Sequence, residues 1–147
     1  MINEQFNIGK MNLNGNTHKH NNIFNKDIKP DPDEILDKIF NRDPVYDFEI
    51  EYLDTLVSKS KINDSELFSV VKFYNKHYPD HSLNWLDVSD VIMMNSLFES
   101  SKYTGDISQW DVSHVEKMSM MFANSKFNGD ISQWDVSNVN DMYGMFE

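Results

Sequence analysis

Five histidines (His18, His20, His77, His81 and His114) and 24 acidic side chains are the groups from which a catalytic or metal centre would have to be assembled. No His-Glu-x-x-His spacing occurs, so the helical imidazole pair of a zinc hydrolase is missing, and no glycine-rich phosphate loop is present. Ser113 stands beside His114, but Ser113 and Glu116 have the spacing of a helix capping box, which accounts for the serine without a nucleophilic role. No pair among the acids stands out as an acid and base couple. The absence of Cys excludes disulfides, thiolate metal sites and a thiol nucleophile together. His18 and His20 lie in an Asn-rich stretch and read as part of a polar tail. Asp87, Asp111 and Asp135 recur at equal intervals, as do Asp106 and Asp130. Oxygen ligands of this kind suit calcium, yet calcium takes six or more, and Asp beside Ser or Gly commonly caps backbone amides. The chemistry-bearing residues therefore predict no catalytic residue, no cofactor and no metal, and the chain reads as a protein that is not an enzyme.

The intervals between those aspartates are part of a wider pattern. Written in rows of 24 residues, the chain from about residue 79 aligns without gaps. Leu83, Ile107 and Ile131 share a column, as do Leu86, Trp110 and Trp134. Val91, Val115 and Val139 follow, then Met94, Met118 and Met142, and finally Phe98, Phe122 and Phe146. A fixed period of this length is the signature of a repeat architecture. Recurring Trp and Met in a repeated frame read as core filling. The variable positions between columns are then the exposed ones, and Gln109, His114, Lys117, Gln133, Tyr143 and Phe146 are the candidate protein-binding surface.

Within a row, the apolar spacing after Ser113 is nearer the helical period than the strand period, which predicts one or two helical turns over residues 115–123 and their equivalents. Tyr103-Thr104-Gly105-Asp106-Ile107-Ser108 and Phe127-Asn128-Gly129-Asp130-Ile131-Ser132 read as short strands pairing with the same segment of the next row.

The unit Phe127-Asn128-Gly129-Asp130-Ile131-Ser132-Gln133-Trp134-Asp135-Val136-Ser137-Asn138-Val139, followed by Met142 and Met145-Phe146, resembles the BspA-type leucine-rich repeat variant of bacterial surface proteins and mycoplasma-like lipoproteins. The resemblance covers residues from about 80 onward. It implies an aliphatic strand before a Trp-Asp-x-Ser-x-Val-x-x-Met-x-x-Met-Phe helical stretch, and it brings no catalytic residues with it. The expected fold class is an α/β repeat, a short leucine-rich-repeat-like solenoid of 24-residue period, capped by a small N-terminal helical unit.

That cap is expected over residues 31–78 as three short helices. Asp31 or Asp33 can cap a helix running to about Asn41, with Ile35, Leu36, Ile39 and Phe40 on one face. Residues 47–58 place Phe48, Tyr52, Leu53 and Leu56 on a stripe, and Asn63 or Asp64 can cap a third helix with Leu67, Val70, Val71 and Tyr74 inward. Residues 1–30 contain eight Asn and no sustained period, and read as a flexible arm. Residues 79–147 hold about three repeats, a degenerate first, where Leu86 replaces Trp, and an incomplete last.

The chain of 147 residues has 39% hydrophobic residues and a formal charge of −11. Four Lys oppose two acids in the first thirty residues, leaving nine basic and twenty-two acidic side chains after them. Such a field disfavours direct nucleic-acid binding and favours basic partners. No signal peptide or transmembrane stretch is read, so the expected location is the cytoplasm or a particle. The expected function is a non-catalytic protein–protein interaction module presenting a repeat surface and an open C-terminal end at Phe146. Two alternatives stand beside it: a structural component of a larger assembly (a phage particle or surface layer), with the arm ordering on a neighbour, and an acidic inhibitor of a nucleic-acid-binding protein. The expected partner is a protein, with a homo-oligomer or larger assembly formed through the arm and the C-terminal end.

Overall fold

Helix starts are set by side chains that satisfy the first free amides. The computed structural model describes residues 10–11, 17–18, 31–53 and 60–147. Contacts divide the chain into two units, Met1–Leu53 and Asp54–Glu147.

In the first unit, β1 (Lys10–Met11) pairs antiparallel with β2 (Thr17–His18). The arm expected over residues 1–30 otherwise lies outside the described residues. Helix α1 (Pro32–Asn41) begins where Asp31 accepts a hydrogen bond from the Asp33 amide at 3.0 Å, with Pro32 in the first turn, where its missing N–H costs nothing. It ends at Arg42, which turns left-handed (φ 59°) and donates its amide to Ile39 O. The face of Ile35, Leu36 and Ile39 is buried. Helix α2 (Asp47–Leu53) buries Glu49, Ile50 and Leu53. The expected stripe is thus rotated: Phe48 and Tyr52 are only half-buried, and Leu56 lies outside the described residues.

In the second unit, β3 (Ser60–Lys61), α3 (Asp64–His77) and β4 (Leu86–Asp87) form a parallel pair joined through a helix. Asn63 and Glu66 close a full capping box at the start of α3, and Leu67, Val70, Val71 and Tyr74 are buried, as their spacing predicts. Both ends of α3 reach the first row. Asp64 Oδ1 accepts from the Ile92 amide at 2.9 Å, and Asn75 Oδ1 accepts from Ser101 Oγ at 2.9 Å and from the Lys102 amide at 2.7 Å.

The rows themselves overturn the expected architecture. No helix covers residues 115–123, and no strand covers 103–108 or 127–132. Among the described residues the helices are α1, α2 and α3, and the two sheets are two-stranded and do not curl. The chain is therefore not a leucine-rich-repeat-like solenoid: a curled parallel sheet needs an extended strand in every row, and here each row passes through a chain of turns. The physical reason lies in how the amides are used. Leu97, Glu99 and Ser101 donate to the carbonyls three residues back, closing successive turns, as do Met121, Ala123 and Ser125. The intervening amides point elsewhere: Met94, Ser96 and Phe98 donate to Lys117, Ser119 and Met121 O, and Met118, Met120 and Phe122 donate to Asp141, Tyr143 and Met145 O, all within 2.8–2.9 Å. An α-helix would have used both sets internally. The turns require left-handed residues, found at Ser96, Ser100, Met120, Asn124 and Gly144 (φ 53–59°). Between one row and the next, only isolated parallel bridges, Met93 to Lys117 and Lys117 to Asp141, register as sheet pairing. Ser113, expected to cap a helix, donates its hydroxyl to Asp111 at 2.6 Å instead.

Candidate protein-binding face

Side chains of rows one (79–102) and two (103–126) pack beneath this backbone. Phe98 and Phe122 stack at 5.5 Å with planes 8° apart, and Phe122 stacks on Phe146 at 5.7 Å and 10°. Trp110 and Trp134 lie parallel at 6.3 Å, and each indole donates to a backbone carbonyl of the preceding row, Trp110 to Leu83 O at 2.9 Å and Trp134 to Ile107 O at 3.3 Å. Each indole amine thereby has a buried acceptor, which its apolar surroundings demand.

In row three (127–147) Trp134 and Met145 stay buried, but the Val, Met and Phe columns of Val136, Met142 and Phe146 reach the surface. Val112 is 1% exposed and Val136 is 38%; Met118 is 0% and Met142 is 42%; Phe122 is 4% and Phe146 is 69%. Tyr143, at 72%, extends this apolar set. Met142 was expected in the core because Met recurs with Trp in a repeated frame, where it fills gaps.

The remaining candidates from the sequence are spread over the rows. Gln109 and Gln133 are exposed and share a column, and each donates its side-chain amide to the preceding serine, Ser108 and Ser132. His114 is exposed, 3.5 Å from Ser113 Oγ. Lys117 is half-buried and donates to Asn140 Oδ1 at 2.6 Å. Tyr143 and Phe146 are brought together on row three.

The aspartate columns cap backbone. Asp87, Asp106, Asp111, Asp130 and Asp135 each accept from the amide of the serine two residues on, at 2.8–3.1 Å. The Ser132 amide and hydroxyl hold the Asp130 carboxyl below its usual pKa, and the Ser137 hydroxyl and amide do the same for Asp135, outweighing the like charge of Asp111. Row three thus carries two carboxylates, Asp130 and Asp135, held ionised at neutral pH. Among the described residues, no group of three or more His, Cys, Asp or Glu could hold a metal ion.

Glu49 lies outside this face and was not legible as a special residue. It is 3% exposed, accepts the Tyr46 amide at 2.8 Å and binds Lys38 Nζ at 2.6 Å. Burial alone would lower the pKa of the Lys38 ammonium, but the hydrogen bond and charge of Glu49, with Glu34 adding to them, overcome it and hold that pKa above its ordinary 10.5.

A chain whose residues 63–147 fold as one capped helix followed by turn-built rows is defined by that stretch. Residues 63–147 match the family described as Mycoplasma protein of unknown function, DUF285, and since this is more than half of the chain, the chain belongs to that family. Nothing among curated proteins or solved structures matches it. The BspA-type resemblance is corrected accordingly, since the family found is DUF285 and the fold lacks the strand and helix that a leucine-rich repeat places in each unit. The interaction module that was to present a repeat surface falls with it, because no curled sheet exists to offer a face of repeated strands. Among the described residues, no helix is long and apolar enough to cross a membrane.

Proposed function

We propose that this protein binds another protein through the apolar face of row three, at Val136, Met142, Tyr143 and Phe146, with no catalytic step. The observation that carries the reading is the contrast within columns: side chains no more than 4% exposed in row two are 38–69% exposed in row three. Covering one such side chain is worth roughly 1.5–3 kcal/mol, so a few of them supply the centre of a specific contact. The acidic edge formed by Asp130 and Asp135 favours a partner with a basic rim and adds to the association rate.

A photo-crosslinking amino acid placed at position 143 tests this in the cell of origin, with the same group at exposed Lys72 on α3 as control. The expected result is a discrete adduct from position 143 and none from position 72. Equal labelling from both, or none from position 143, overturns the proposal.

A further inference from the structure

Rows two and three carry a glycine at the same place in the 24-residue period, Gly105 and Gly129, but the residue before it is Thr104 in one and Asn128 in the other. The two backbones are held differently. Thr104 and Gly105 both donate their amides to Pro79 O of row one, at 2.7 and 3.1 Å, and Gly105 is buried against His81 O. The Asn128 and Gly129 amides make no such bond to row two, and neither donates to a backbone acceptor among the described residues. The Asn128 side chain is equally uncommitted there, whereas Asn95 accepts from Ser119 and Asn138 donates to Ser113 O.

Asn128 and Gly129 are both exposed. For Asn128 this belongs to the position in the period, since Thr104 is exposed too although row three follows it. A glycine amide that no hydrogen bond holds, with no Cβ beside it, swings readily onto the preceding carboxamide.

We infer that Asn128–Gly129 is a modification site at which the folded chain deamidates spontaneously, with water as the only co-reactant. The Gly129 amide gives its proton to solvent base, and its nitrogen bonds to Asn128 Cγ. The Cγ–Nδ2 bond breaks, Nδ2 takes up a proton and leaves as ammonia, and a succinimide remains. Water then adds at one or the other succinimide carbonyl, opening the ring to aspartate or to isoaspartate with no change of oxidation state. Either product adds a negative charge two residues before Asp130, and isoaspartate also lengthens the main chain by one methylene. The stack of Phe127 on Phe122 at 4.7 Å and the bond from the Ser132 amide to Asp130 use none of the atoms that change, so the row keeps its packing. The inference stands apart from the binding role proposed above.

The test is fragment-ion mass spectrometry of the full chain after incubation at mildly alkaline pH, in ordinary water and in water enriched in oxygen-18. Position 128 should gain about 1 Da in the first and about 3 Da in the second. Its rate in the folded chain should lie within about tenfold of the rate in a synthetic peptide of residues 122–134, because no protecting structure has to open first. Thr104→Asn sets the same pair of residue types in row two, where Pro79 O holds the glycine amide, and that position should react at least about tenfold more slowly than position 128 of the same molecule. A folded-chain rate further below that of the peptide overturns the inference, as do equal rates at positions 104 and 128. The peptide comparison needs no substitution and decides alone if Thr104→Asn fails to fold.

Discussion

Phe122 and Phe146 stack on one another at 5.7 Å with their planes 10° apart, yet the first is 4% exposed and the second 69%. Two residues in one column of the sequence therefore have opposite energetic roles. Phe122→Ala should cost about 3–5 kcal/mol, since it opens a cavity between two rings. Phe146→Ser should stay within about 1 kcal/mol, because little burial is lost. Urea denaturation of the two variants checks this, and equal losses would show that Phe146 is a core residue after all.

Gly105 tolerates no side chain. A Cβ there would lie 2.0 Å from His81 O and 2.6 Å from the Tyr103 hydroxyl, whose own hydrogen bond to His81 O holds the turn in place. Gly105→Ala is expected to cost about 2–3 kcal/mol by forcing backbone apart. Gly129, the next glycine of the column, meets only the Phe127 ring, so Gly129→Ala should cost markedly less. The difference between their thermal midpoints is the measurement.

The Lys38–Glu49 pair gives Met1–Leu53 an alkaline limit. The folded pKa of Lys38 is raised above 10.5, so the contribution of the pair is complete below that pH and is lost as pH rises through the folded value. Glu49→Ala removes the acceptor for both Lys38 and the Tyr46 amide and should cost about 1.5–3 kcal/mol at neutral pH. Denaturation followed on α1 and α2 at pH 7 and 11 should show the variant losing less with pH than the parent chain.

Asp130 and Asp135 have the opposite sign. Their folded pKa values are lowered below 3.8, so what their turns contribute is present above that pH and is lost as pH falls through the folded values. The Ser132 and Ser137 amide resonances should report midpoints below 3.8 in an NMR titration. A midpoint at or above that value would mean that the turns are not formed.

The helices were legible because their signals are local. Asp31 with Pro32, and Asn63 with Glu66, cap by contacts within three residues, so spacing alone locates α1 and α3. The 24-residue period was legible too, and so was the capping role of the aspartates. The conformation of a row was not. Apolar residues after Ser113 fall near a helical period because they point inward from successive turns, while Ser96, Ser100, Met120 and Asn124 adopt left-handed backbone that nothing in their residue types announces. Glu49 was hidden for a similar reason: its partner, Lys38, is on another helix, and a solvent-facing acid has the same letter.

The one-way hydrogen bonding of the rows gives the stack a grain. An amide in row one is shielded by row two, and an amide in row two by row three, so each row depends for its shielding on its successor. Exchange at the row-one amides should therefore wait on the opening of row two, while α3 pins row one at Asp64 and Asn75.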